Sequence, residues 1–212
     1  MRRKGASRVR YDLQIIASWI DPGARVLDLG CGAGDLLSHL IREKGIRGSG
    51  IEIDEGKVAE GLTRGLSMVH GDINEEVCDY PDQAFDDVIL SQTLQQVYDP
   101  ARLIREMLRV GKRGIVSFPN FAHYGVRAQL FFKGRAPVSR ELPYQWHDTP
   151  NIRVIALKDF RRFCKAAGFT ILRETAISTP HHQETGRVTT LFPNLLATYG
   201  IFRLGRATPP PP

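Results

Sequence analysis

The sequence predicts an α/β fold, a mostly parallel sheet with helices on both faces. Three observations carry this. Residues 26–34 read VLDLGCGAG, an apolar run, an acid and glycines at alternate positions, and the amphipathic DLLSHLIREK follows at once. That order is a strand, a tight turn and a helix N-terminus. Short segments rich in Val, Ile and Leu then alternate with helical patterns, which argues for parallel strands buried on both sides. At 212 residues and 42% hydrophobic, the chain can bury one full sheet-and-helix core.

In chain order, the periodicity predicts helices near 11–20, 34–44, 55–64, 100–110 and 157–167. Strands are expected near 24–29, 48–53, 66–70, 85–90, 113–118 and 169–176. The helix at 100–110 opens on Asp99-Pro100, a capping acid with proline in the first turn, and closes at Gly111, where a glycine past the C-terminus is expected. Residues 119–150 break the rhythm with Pro119, Pro137, Pro143 and Pro150 among several aromatics, and read as a long irregular insertion of the kind that carries function. The expected organisation is a basic disordered arm at 1–10, a domain at 11–206 containing that insertion, and a proline-rich tail at 207–212.

The glycine spacing narrows the ligand. A dinucleotide fingerprint places its third glycine where Asp35 stands, and a carboxylate there would repel a pyrophosphate on the helix N-terminus. No Gly-Lys-Ser/Thr follows, so a P-loop is excluded. The pattern hydrophobic-Asp-Leu-Gly-x-Gly-x-Gly resembles the cofactor loop of class I S-adenosylmethionine-dependent methyltransferases, whose cofactor carries a sulfonium cation and no phosphate. The resemblance implies a Rossmann-like class I methyltransferase fold with a seven-stranded sheet. It implies a loop of Asp28, Gly30, Cys31, Gly32 and Gly34 against S-adenosylmethionine or S-adenosylhomocysteine.

Glu52 and Ile53 close the second apolar strand, GSGIEID, about twenty residues past the glycines. A carboxylate there can accept hydrogen bonds from both hydroxyls of a ribose. Asp54, two residues on, is the alternative, or the cap of the following helix. In the resembling family the acid of Gly71-Asp72 bonds the adenine amino group and Ile73 packs on the ring; as a bare sequence signal Asp72 is equally a turn residue. Ser91 opens the loop after the fourth strand, SQTLQQV, and can line the methionine end. That loop lacks the Asn/Asp-Pro-Pro-aromatic motif of amine methylation and the Pro-Cys of cytosine methylation, so catalytic residues are unknown from sequence. No carboxylate cluster with metal-ligand spacing appears, and no metal is expected.

The net charge of +6 is unevenly spread. The first ten residues hold five cations and no acid; residues 11–110 hold nine Lys/Arg against eighteen Asp/Glu; residues 111–212 hold fifteen against five. The basic half suits an acidic protein surface, an acidic small molecule or RNA, but no RNA-binding module accompanies it, and nucleic acid is not expected. No apolar run reaches membrane-spanning length, MRRKGASRVR lacks the apolar segment of a signal peptide, and three scattered cysteines make no disulfide framework or zinc site. A reducing cytoplasm is the expected setting. Cys31 reads as a small filler rather than a nucleophile, since no histidine lies near it in sequence.

A narrower resemblance rests on ILSQTLQ, EMLRVGKRGIVSFPNFAHYGVRAQL, GRAPVSRELPYQWHDTPNI and FPNLLA. These segments are similar to the MetW family of bacterial methionine-biosynthesis proteins, over about Arg10 to Gly205. The resemblance implies a role bound up with homoserine O-acyltransferase, the MetX-type enzyme, as partner or regulator. The alternative is a working methyltransferase on a small-molecule acceptor under residues 119–150. The chain departs from the pattern at its basic arm, its proline tail and HHQETGRVTT, residues 181–190. His147 beside Asp148 invites a base-and-orienter reading, though adjacent residues rarely meet in that geometry; His123 is weaker. Tyr144 and Trp146 are the expected contact residues for a partner, with Arg135 and Arg153 at the rim.

Overall fold

A computed structural model describes residues 9–139, 141–180 and 183–206. Most of the basic arm, the tail at 207–212 and two residues of the 181–190 stretch lie outside the described residues.

Helix α1 (Tyr11–Trp19) leads into β1 (Arg25–Leu29), and four strand–helix alternations follow: α2 (Asp35–Lys44), β2 (Arg47–Glu52), α3 (Glu55–Thr63), β3 (Ser67–His70), the short α4 (Ile73–Glu76), β4 (Phe85–Ser91), α5 (Pro100–Val110) and β5 (Gly111–Pro119). The C-terminal part adds α6 (Tyr124–Lys133), α7 (Leu157–Ala167), β6 (Thr170–Ser178), the two-residue β7 (Arg187–Val188), α8 (Pro193–Leu196) and β8 (Tyr199–Gly205). The strands form one sheet in the order β3-β2-β1-β4-β5-β8-β6-β7. Pairs among β1 to β5 are parallel, and β8 runs antiparallel between β5 and β6.

Each expected element is present within two residues of its predicted bounds. The sheet has eight strands where seven were expected, the extra one being the short edge strand β7 paired to β6 through Ile177 and Ser178. Strand β8 went unread because Gly200 and Gly205 interrupt its apolar run; the Cβ of any other residue at 200 would sit 3.0 Å from the Phe202 ring. The 119–150 segment is not irregular throughout, since it contains the ten-residue α6. Gly111 ends α5 as expected, but for another reason. It is extended (φ −118°, ψ 152°) and begins β5, and a Cβ there would lie 2.5 Å from Val88 Cγ2. Packing, not a left-handed cap, requires that glycine.

The central strands show why the apolar runs are continuous. Leu27 and Leu29 of β1 face α5 and α7 with Val88, Leu90, Val116 and Phe118, while Val26 faces α1 and α2 with Ile89, Ile115 and Ile201. Both faces are fully covered, as a parallel sheet demands. The antiparallel end is closed by three rings: Phe118 stacks on Phe202 at 5.6 Å and both tilt against Phe160 at 4.9 and 4.7 Å.

Beneath the sheet, the carboxylate of Asp87 is wholly buried and accepts from Arg113 (2.8 and 3.0 Å) and Arg203 (2.8 Å). Three strands, β4, β5 and β8, are thereby held by one charge cluster. Asp87→Ala leaves two guanidinium groups facing an empty carboxylate site, and should cost about 3 kcal/mol. Urea unfolding with an unchanged denaturant slope checks this.

Candidate functional site

The strand order reverses between β1 and β4, and at such a switch point the loops leaving the strand C-termini part to form a crevice. A cavity of about 490 Å³ lies there. Nine of the sequence-derived residues line it: Asp28, Gly30, Cys31, Gly32, Glu52, Ile53, Asp72, Ile73 and Ser91. Gly34 does not. It stands behind the turn in the left-handed region (φ 79°), where a Cβ would strike Leu66 Cδ1 at 2.3 Å. Gly32 is the contrasting case: its φ is 59°, and a Cβ would meet nothing within 4 Å because it would project into open space.

Glu52 organises the loop. Its Oε2 accepts from the Gly32 amide at 2.8 Å, and Oε1 accepts from the Ile53 and Asp54 amides, both at 3.1 Å. The amides of Gly30 and Cys31 donate to the Ile51 carbonyl at 2.8 and 3.2 Å, so the turn is tied to β2 along its length. Asp54 takes the capping role, accepting from the Lys57 amide at the start of α3. Asp72 caps the short α4, accepting from the amide and side-chain nitrogen of Asn74, each at 2.8 Å, while Ile73 packs partly against the core and Ile53 is exposed. Asp72 is thus a turn and cap residue that also stands on the wall of the cavity.

Asp28 is the electrostatic anomaly. It is 3% exposed, lines the cavity, and no group among the described residues hydrogen-bonds its carboxyl. Burial pushes that carboxyl up to about 7; Arg10 opposes the shift and Glu52 adds to it. Cys31 fills the space beside Gly50, where a Cβ would lie 2.3 Å from its sulfur. Burial, with Asp28 and Glu52 adding, pushes its thiol far above the ordinary range, so it is a filler and no nucleophile.

Sequence reasoning missed the wall opposite the glycines. Arg10 and Gln92 converge there on the buried Asp12: Arg10 donates from Nε and Nη2 at 3.2 Å, and Gln92 Nε2 donates at 2.6 Å. Gln92 is held in the left-handed region (φ 54°), its amide donating to the Ser117 carbonyl at 2.9 Å. Ser91 Oγ pairs with Ser117 Oγ at 3.0 Å. A non-glycine residue in that region costs of order 1 kcal/mol or more and concentrates at binding sites. No motif signals it.

His123 and His147 do not line the cavity. His123 caps α6, its Nδ1 accepting from the Gly125 amide at 3.2 Å, and burial lowers its pKa. His147 lies against Trp146 (5.5 Å between centroids) within a turn closed by Asp148 N–H to Gln145 O. Arg153, expected at a partner rim, is instead a strap: its amide donates to Gln95 O at 2.9 Å, Nε to Val97 O at 3.3 Å and Nη2 to Tyr98 O. Val97 and Tyr98 line the cavity, so the strap holds its mouth from outside. Among the described residues no group of His, Cys, Asp and Glu could hold a metal ion, and no helix is long and apolar enough to cross a membrane.

This sheet order, with a glycine turn after β1 and an acid at the end of β2, defines a class I S-adenosylmethionine-dependent methyltransferase fold. Among solved structures, a methyltransferase from Thermotoga maritima described as a possible histamine N-methyltransferase superposes with a TM-score of 0.66 at 19% identity, covering 92% of this chain and 87% of that one. The [4+2]-cyclase SpnF superposes equally well (0.66, 21% identity, 97% and 86% covered), so the fold alone does not specify methyl transfer.

The chain belongs to the MetW family: the family described as methionine biosynthesis protein MetW matches residues 10–204. A relative from Rhodopirellula baltica, described as a bifunctional methionine biosynthesis protein MetXA/MetW, is 36% identical over 162 residues. That match covers 72% of this chain, which spans about a quarter (26%) of the relative's length. A ubiquinone biosynthesis O-methyltransferase from Pseudomonas fluorescens is 30% identical over 166 residues, covering 73% of this chain and 70% of that protein.

The Asp28 carboxyl ionises near 4 in the unfolded chain and near 7 in the fold, so between those values the folded chain holds the extra proton. Stability therefore falls as pH rises through that window and levels off above it. Asp28→Asn has no proton to lose. It should flatten the slope and be more stable than wild type at about pH 8, by urea unfolding at about pH 5 and about pH 8.

Proposed function

We propose that the cavity binds S-adenosylmethionine or S-adenosylhomocysteine, and that the protein acts as partner or regulator of a homoserine O-acyltransferase of the MetX type. The residues fit the cofactor. Gly32 leaves open space where backbone must approach a ligand, and Asp28 puts into the cavity a carboxyl that no described residue hydrogen-bonds, suited to the positive charge of the methionine end. Glu52 would take the ribose through Oε2, which keeps a lone pair beyond its one backbone bond, Oε1 already accepting from two amides. Asp72 and Ile73 would take the adenine. When bound, S-adenosylmethionine supplies an activated methyl group.

One observation turns the reading from catalysis to partnership: among the described residues, the wall built by Arg10 and Gln92 carries no free base. Both side chains are engaged on the buried Asp12, which does not itself line the cavity, and both candidate histidines lie elsewhere. The relative bearing both MetXA and MetW in one description supports the choice of partner. S-adenosylmethionine derives from the pathway's product, so its binding would report product level to an enzyme of that pathway through linked equilibria. The second reading, methyl transfer to a small acceptor by proximity alone, is favoured by the similarity to O-methyltransferases.

Calorimetry with S-adenosylmethionine should show binding in the wild type. Gly32→Ala, which fills the approach and strains a left-handed residue by about 1–2 kcal/mol, should abolish it in a folded protein. Glu52→Ala should weaken binding by about 1.5–3 kcal/mol. Co-purification with the acyltransferase, and a change in acyltransferase activity on adding this protein, is the expected outcome. Transfer of labelled methyl to a metabolite extract by the purified protein alone would establish the second reading.

A further inference from the structure

Helix α6 is turned inside out for a helix of a globular domain. Of its ten residues only Val126 is buried. Its inner side is held by Gln129, whose Oε1 accepts from the Val138 amide at 3.2 Å, and its ends by His123 and by Gly134 in the left-handed region. Tyr124 and Leu130 are exposed, and Phe131 and Phe132 are 83% and 82% exposed, their rings meeting edge to face at 5.0 Å. A helix this short is marginal unless it packs an apolar face, and here most of that face looks outward. Contiguous exposed apolar surface of this kind marks an interaction site.

The charge around it states what the site accepts. Residues 124–139 hold three cations, Arg127, Lys133 and Arg135, and no acid, while Glu141 lies on the inner side of the helix beside His123 and Gln129. Lys133 and Arg135, which flank the helix end, make no ion pair with any described residue, and Arg127 donates its Nε only to the Ala122 carbonyl. A second copy placed face to face through α6 would bring like charge to like charge. A partner carrying acids around an apolar groove would bury the two phenylalanines and pair the cations.

We propose that the outward face of α6, centred on Phe131 and Phe132 and flanked by Lys133 and Arg135, is the docking surface for an acidic, grooved surface of the homoserine acyltransferase. This rests on the partnership reading above. It moves the centre of the interface from Tyr144 and Trp146, where the sequence placed it, to the end of α6. The phenylalanines would supply the slow dissociation, as buried aromatic anchors do. The cations would supply the association rate.

The test is biolayer interferometry between the full chain and the homoserine O-acyltransferase of the same genome, at about 50 mM and about 300 mM NaCl. Phe131→Ser with Phe132→Ser should raise Kd about tenfold or more at both salt concentrations. Lys133→Glu with Arg135→Glu should slow association about tenfold at low salt, with the gap closing at high salt. Arg162→Glu with Lys165→Glu, an equal change of charge on α7, should leave both rates near wild type. Each variant is first shown to melt like wild type, the substituted side chains being solvent-facing. Unchanged binding in both α6 variants would overturn the proposal while leaving the partnership standing. A wild type that fails to bind the acyltransferase would remove the partnership itself. Self-association, or capture by phosphatidylserine vesicles, that is lost in the phenylalanine variant would assign the face to a second copy or to a lipid surface instead.

Discussion

The carboxylate of Glu52 is the pin on which the cofactor end of the molecule turns. One side chain, at the end of β2, accepts amide hydrogens from Gly32 on the neighbouring loop and from Ile53 and Asp54 on its own. Two loops leaving adjacent parallel strands would otherwise splay, each with unpaired amides. The bond to Gly32 holds the turn where a ligand can approach backbone directly, and the bonds to Ile53 and Asp54 orient the start of α3. Sheet geometry makes this possible, because β1 and β2 pair in register with Leu29 beside Ile51 and so bring their C-terminal ends level.

Around that pin the site departs from what stability alone would favour. Asp28 is buried with no hydrogen bond to its carboxyl among the described residues, and Gln92 is held in a left-handed conformation; each raises the energy of the fold. The surroundings over-determine them. The Val26, Leu27 and Leu29 neighbours of Asp28 are fully buried, and Gln92 is fixed by Ser117 and Asp12. A rigid core that tolerates two unfavourable residues at the same cavity is the expected signature of a binding site rather than of a structural crevice.

The parallel half was legible because its signals are local. Leu27 to Leu29 followed by glycines, Asp54 before α3 and Asp99-Pro100 before α5 each announce their structure within a few residues. The missed features depend on distant partners. Gly111 stops α5 as its position suggests, but the reason it must be glycine is Val88 beside it, which the sequence does not show. Arg153 reads as a surface cation, yet its guanidinium and amide meet three carbonyls more than fifty residues away in sequence. Arg10 and Gln92 carry no motif, and only the fold brings them to Asp12. Helix α6 was obscured because its apolar residues face outward, which breaks the periodicity that a buried helix shows.

The anchoring of α1 has a consequence for how the protein is made. The Tyr11 amide donates to the Gln183 carbonyl, and Gln14 Nε2 donates to the Glu184 carbonyl 170 residues downstream. Arg10 and Leu13, from the same part of the chain, wall the cavity. At about 5–20 residues per second, a ribosome takes roughly ten to thirty seconds to supply that distant partner. Throughout that interval the first helix lacks its final restraint, and one wall of the cavity is not yet secured. The sheet can pair strand by strand as it emerges, but that wall of the cavity is secured only once residues 183 and 184 have been made.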